Sequence, residues 1–125
     1  MSHIENTIAA LRTKHPDDIQ ELVSFRGETT LVVASDALLD ICKLLRYDPR
    51  LDYTFLVDLV AVDYLPLEPR FGVSYLLHAL KRNVRLRLRV LVPGQSPILP
   101  SVSDVWSSAE WPEREAFDLM GIQFT

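Results

Sequence analysis

From Val84 to Val90 the chain alternates apolar and basic residues without exception: Val84, Leu86, Leu88 and Val90 against Arg85, Arg87 and Arg89. Successive side chains of a strand point to opposite faces, so this stretch is a strand with one apolar face and one face of guanidinium groups. The fold must therefore offer a sheet with a core side and a polar side. The strand is read over residues 83–92 and ends at Pro93-Gly94.

Two more strands precede it. Residues 53–64 (YTFLVDLVAVDY) are apolar on both faces, the pattern of a central strand in a covered sheet. Pro66 and Pro69 break that run. Residues 71–80 form the next strand, with residues 81–83 as the turn into the arginine strand.

The N-terminal half alternates helix and hairpin. Ser2-His3-Ile4-Glu5 reads as a capping box, and Ile4, Ile8 and Leu11 follow at helical spacing. His15-Pro16 ends that helix. Residues 22–25 and 29–34 form a hairpin about the turn 26–28. Ser35 suits the N-cap of a helix over residues 36–46, whose apolar face carries Leu38, Ile41, Cys42 and Leu45. Cys42 reads as buried packing rather than a reactive thiol. Residues 47–50 make the closing turn.

Beyond the strands, residues 95–100 read as a loop, and Ser103 as the cap of a short helical turn over residues 104–106. Pro112 suits the first position of a last helix reaching about Met120. Glu113 and Glu115 favour its positive N-terminal end, and Gly121 is its C′ glycine. The order is helix, two strands, helix, three strands, helix. No repeat, low-complexity tract or linker interrupts it. The expected architecture is a single α+β domain, two-layered, with helices packed on one sheet.

Composition excludes several function classes. Hydrophobic residues make up 48% of the 125, and charged residues 24%, which is unlike a disordered chain. No window approaches the roughly 20 apolar residues of a membrane helix, and no signal-peptide pattern opens the chain. One cysteine can form neither an internal disulfide nor a thiolate metal site alone, so a cytoplasmic address is expected. The net charge of −4 argues against a wholly basic nucleic-acid binder. Yet five of the six basic residues after position 70 lie between Lys81 and Arg89. This stripe admits three readings. It is a solvated outer face or an edge strand guarded by charge, a contact face for an acidic partner protein, or a nucleic-acid contact lacking stacking aromatics.

Catalytic chemistry is sparse. There is no Gly-rich phosphate loop. His3, His15 and His78 lack metal-ligand spacing. Asp58 and Asp63 face opposite sides of a strand, and Asp58 reads as a buried, hydrogen-bonded structural aspartate. Ser107 and Ser108 have no histidine near in sequence; a standalone enzyme would have to use distant His78 with an aspartate. Residues 106–124 combine Trp106, Trp111, Phe117, Met120, Ile122 and Phe124 with charged residues, in which Glu110 and Asp118 can each pair with Arg114. That segment reads as a helix packed on its own core, as a docking face for a neighbouring protein, or as both.

The same segment, WPEREAFDLMGIQF at residues 111–124, resembles the signature of the thirty-kilodalton subunit, also termed the C subunit, of respiratory complex I. Three blocks match upstream in order: DLVAVDY at 58–64, RFGVSYLL at 70–77 and LPSVSDVW at 99–106. The resemblance covers residues 55–124, with the N-terminal part agreeing in its pattern of elements. Pro112 stands where many members carry another residue. The chain stops at Thr125, before the family's Gly-His-Pro segment and docking tail, which implies a truncated domain.

The resemblance implies a mixed five-stranded sheet with helices against it. It implies a non-catalytic structural subunit in the peripheral arm of NADH:quinone oxidoreductase, beside the large subunit of the quinone pocket and neighbouring iron–sulfur subunits. No cofactor or metal is implied on this chain; NADH, flavin, iron–sulfur clusters and quinone belong to partner subunits. The implied location is the cytoplasmic side of the inner (plasma) membrane, reached only through the complex. Equivalent domains serve membrane-bound hydrogenases and formate hydrogenlyase. The motif positions carried over as partner-binding are Trp111, Glu113, Arg114, Glu115, Phe117, Asp118, Gly121, Ile122 and Phe124. The charge argument adds Arg85, Arg87 and Arg89.

Overall fold

The computed structural model describes residues 2–125. Helix α1 spans His3–Lys14, and the Ser2 hydroxyl accepts from the Glu5 amide at 3.1 Å, the expected half of the capping box. Strands β1 (Ile19–Phe25) and β2 (Glu28–Val33) form an antiparallel hairpin. Arg26 and Gly27 both take positive φ in its two-residue turn, which matches the twist of the flanking strands. Helix α2 is Leu38–Tyr47. The expected Ser35 cap is not made: residues Ser35–Ala37 form a 3-10 turn that leads into the helix without a side-chain cap. Cys42 is fully buried on the apolar face of α2, as expected, and burial pushes its thiol well up.

Strands β3 (Phe55–Asp63), β4 (Phe71–Ala79) and β5 (Val84–Val92) complete a five-stranded mixed sheet of order β1-β2-β5-β4-β3. Only the β2–β5 pair is parallel. The α+β architecture, and the element order as far as β5, are those expected from the sequence. Two placements differ. The apolar run expected to be central is the edge strand β3, and the arginine strand β5 is central, which removes its reading as a charge-guarded edge. Apolarity on both faces signals two covered faces, but in this chain Val57, Val60 and Val62 of β3 stay exposed.

The core lies on one side only. Leu86, Leu88, Val90, Val73, Tyr75 and Leu77 face it, and α1, α2 and the C-terminal segment supply Leu11, Ile41, Leu45 and Trp106 from above. Trp106 Nε1 donates to Tyr53 O at 3.0 Å, and Tyr53 Oη meets Thr7 Oγ1 at 3.0 Å. These bonds satisfy polar atoms that burial would otherwise orphan. The opposite face of the sheet carries the three arginines.

The last third departs from expectation in detail. Residues 103–105 form a turn closed by Val102 O, and Ser103 bonds Ser101 Oγ instead of capping a helix. Helix α3 is Glu110–Met120, preceded by a 3-10 turn over Ser107–Ala109, so Pro112 is its third residue rather than its first. It still lies in the opening turn, where no helical acceptor awaits its missing N–H. Gly121 closes the helix at φ +75° with its amide on Phe117 O at 2.8 Å. The expected loop at 95–100 contains β6 (Ile98–Leu99), which pairs in parallel with β7 (Gln123–Phe124).

Candidate docking surface

Helix α3 runs beside the edge strand β3 and is held from beneath by one carboxylate. Glu113 is buried; its Oε1 accepts from Ser101 Oγ at 2.6 Å and its Oε2 from the Val102 amide at 2.9 Å. Burial pushes its carboxyl above the ordinary range, and the two hydrogen bonds oppose that shift. Ile122 is also inside, and β7 ties the chain end down through Thr125 N to Leu99 O at 2.9 Å. Glu113, Gly121 and Ile122 of the expected docking set thus build and aim the helix.

The remaining motif residues point out. Trp111 is 67% exposed, Phe117 50% and the neighbouring Leu119 78%. Arg114, Glu115 and Asp118 are exposed among them, and Phe124 is half-buried. Helical spacing sets Trp111, Arg114 and Asp118 along one ridge, with Phe117 and Leu119 on its flanks. The expected pairs do not form: among the described residues Arg114 makes no ion pair with Glu110 or Asp118. Exposed i,i+4 pairs contribute only a few tenths of a kcal/mol, so little holds the guanidinium to its own helix. A hollow of about 450 Å³ beside it is lined by Glu110, Arg114, Phe117 and Phe124. Phe117 lines that hollow on one flank of the ridge, while Leu119 on the other flank lines a second hollow with Leu59 and Val60 of β3.

Asp58, expected in the core, is exposed. Its Oδ1 accepts from the Leu59 amide at 2.9 Å, because the bulge between Leu56 and Asp58 turns it outward. Asp63 pairs with Arg70 at 2.8 Å, which holds the Asp63 carboxyl below its ordinary range. His78 meets Asn83 Oδ1 at 3.3 Å, and Ser108 donates to Leu56 O at 3.2 Å, so no serine–histidine bond joins the two. Among the described residues no three of His, Cys, Asp and Glu converge, and no helix is long and apolar enough to cross a membrane.

Residues 31–125 match the family described as "Respiratory-chain NADH dehydrogenase, 30 Kd subunit". The chain belongs to that family. The C subunit of NADH-quinone oxidoreductase from Geobacter sulfurreducens is 42% identical over 125 residues, covering 99% of this chain and 76% of the relative. Among solved structures, "Nqo5 of the trypsin-resistant fragment (1-134) in P63 form" superposes with a TM-score of 0.81 at 31% identity, over 98% of this chain and 95% of that one. A protein in the structure of the membrane-bound sulfane sulfur reductase, an archaeal respiratory membrane complex, shares the fold, with a TM-score of 0.77 at 22% identity over 96% of this chain and 69% of that chain. The two-layer α+β fold is thus common to this chain and to both solved structures.

Proposed function

We propose that the chain is a non-catalytic structural subunit of NADH:quinone oxidoreductase, and that α3 docks it on the large subunit of the quinone pocket, near the iron–sulfur subunits. The observation that carries this reading is Arg114, without an ion-pair partner among the described residues and set between exposed Trp111 and Phe117. Aromatic and arginine side chains are the usual anchors of protein interfaces. A carboxylate from a neighbour would complete the guanidinium, and a partner surface would cover the two rings. The NADH-quinone oxidoreductase relatives favour a quinone-reducing complex over a hydrogenase. In this reading NADH, flavin, iron–sulfur clusters and quinone stay on the other subunits, and the chain reaches the cytoplasmic side of the membrane through them.

The test is affinity purification of the tagged protein from solubilised membranes of its host, followed by Arg114→Ala. Recovery of quinone-pocket and iron–sulfur subunits is expected, and the substitution should weaken assembly by about 2–5 kcal/mol if the pair is buried. Recovery of the protein alone, or unchanged affinity of the Arg114→Ala variant, overturns the reading.

A further inference from the structure

The outer face of the sheet is uncovered by any helix, and it is graded along the strands. At one end the rung of Val62, Gly72 and Leu91 is apolar. Gly72 has no side chain there, and the Tyr64 ring fills the place: a Cβ on Gly72 would lie 2.7 Å from it. At the other end Arg89, Arg87 and Arg85 face outward beside Ser74, Leu76 and His78. Arg87 bonds Glu28 at 3.3 Å. Arg85 and Arg89 have no ion pair among the described residues, and Arg89 Nε is buried without a hydrogen-bond partner. Asp58 shares a hollow of about 310 Å³ with Arg87 and Arg89 but reaches neither as an ion pair.

We propose that this face is a second docking surface, taking an extended, carboxylate-bearing segment of a partner protein against Arg85, Arg87 and Arg89, with its apolar end on Val62 and Leu91. The spacing is the reason for an extended segment. Alternate residues of β5 repeat at roughly 7 Å, and so do carboxylates at alternate positions of a second strand lying along it. Charge complementarity selects the occupant: the chain carries −4 overall, yet this face presents three arginines, only one of them paired. A second copy would bring arginines onto arginines. Nucleic acid would want large aromatic side chains to stack on, and the outward positions of β4 and β5 at the arginine end offer no Phe, Tyr or Trp. The surface is distinct from α3 and does not depend on what α3 binds.

The test is an NMR titration of the isotope-labelled chain at low salt with a peptide of alternating Glu and Thr. Its Gln–Thr counterpart and an oligothymidylate of equal charge are the comparators. Shifts confined to outward residues of β4 and β5 and to the arginine Nε–H signals are expected from the Glu peptide alone. Arg85→Gln with Arg89→Gln should weaken its binding by about tenfold or more while leaving the core signals in place. Arg85 is exposed, so Arg85→Gln alone serves if the double variant does not fold. No shifts on this face, equal shifts from the Gln peptide, or tighter binding of the oligothymidylate would each overturn the proposal.

Discussion

Glu113 shows how one side chain can place a surface it does not belong to. Its motif position suggests contact with a partner, but its two oxygens are occupied by Ser101 and Val102, so it joins α3 to the turn below Trp106. Its carboxyl is raised by burial, so the protonated form is the one the fold favours. The stability this contributes is fully present below the carboxyl's ordinary pKa and is lost as pH rises through the raised value. Glu113→Gln keeps an acceptor for Val102 and removes the charge. Urea midpoints from acid to neutral pH should therefore show the wild type losing stability relative to Glu113→Gln as pH rises. Glu113→Ala should cost about 1–3 kcal/mol at acid pH as well, since it orphans the Val102 amide. A difference between wild type and Glu113→Gln that is flat in pH would contradict this role. Nothing in spacing could reveal it, because Ser101 and Glu113 meet only through the tertiary fold.

At the scale of the element, local signals are legible in the sequence and tertiary ones less so. The α1 cap, the end of α1 before Pro16 and the Gly121 stop each depend on a few neighbouring residues, and each stands where the sequence puts it. The alternation of β5 gives its two faces correctly. Its central place is not legible, because strand order is set by pairing between distant segments. The apolar outer face of β3 misleads because Val57, Val60 and Val62, exposed in the fold, look like core in a lone sequence. The end of α3 offers an element-scale test. Gly121 sits at positive φ with open space where a methyl group would stand, so Gly121→Ala meets no neighbour and incurs only backbone strain. It should lower stability by about 1 kcal/mol, seen as a shifted urea midpoint with unchanged slope. A neutral result would mean the αL stop contributes nothing to holding β7 against β6.

For the whole molecule, the fold buries Trp106, Tyr53 and Tyr75 on one side of the sheet and leaves two surfaces with arginines that have no ion pair among the described residues. One is the ridge of Trp111, Arg114 and Phe117; the other is the arginine face of β5. In the proposed reading a neighbouring subunit covers each of them. The ridge follows from the motif at residues 111–124, whereas the division between residues that build α3 and those that face outward is visible only in the folded chain. The most direct test replaces Trp111 with a photocrosslinking amino acid in the full chain, expressed in the host, with Phe25 on the far β1 edge replaced in parallel. Irradiation of solubilised membranes should join position 111 to the large quinone-pocket subunit and leave position 25 without that product. If position 111 captures no such subunit while the complex still assembles, docking through α3 is contradicted.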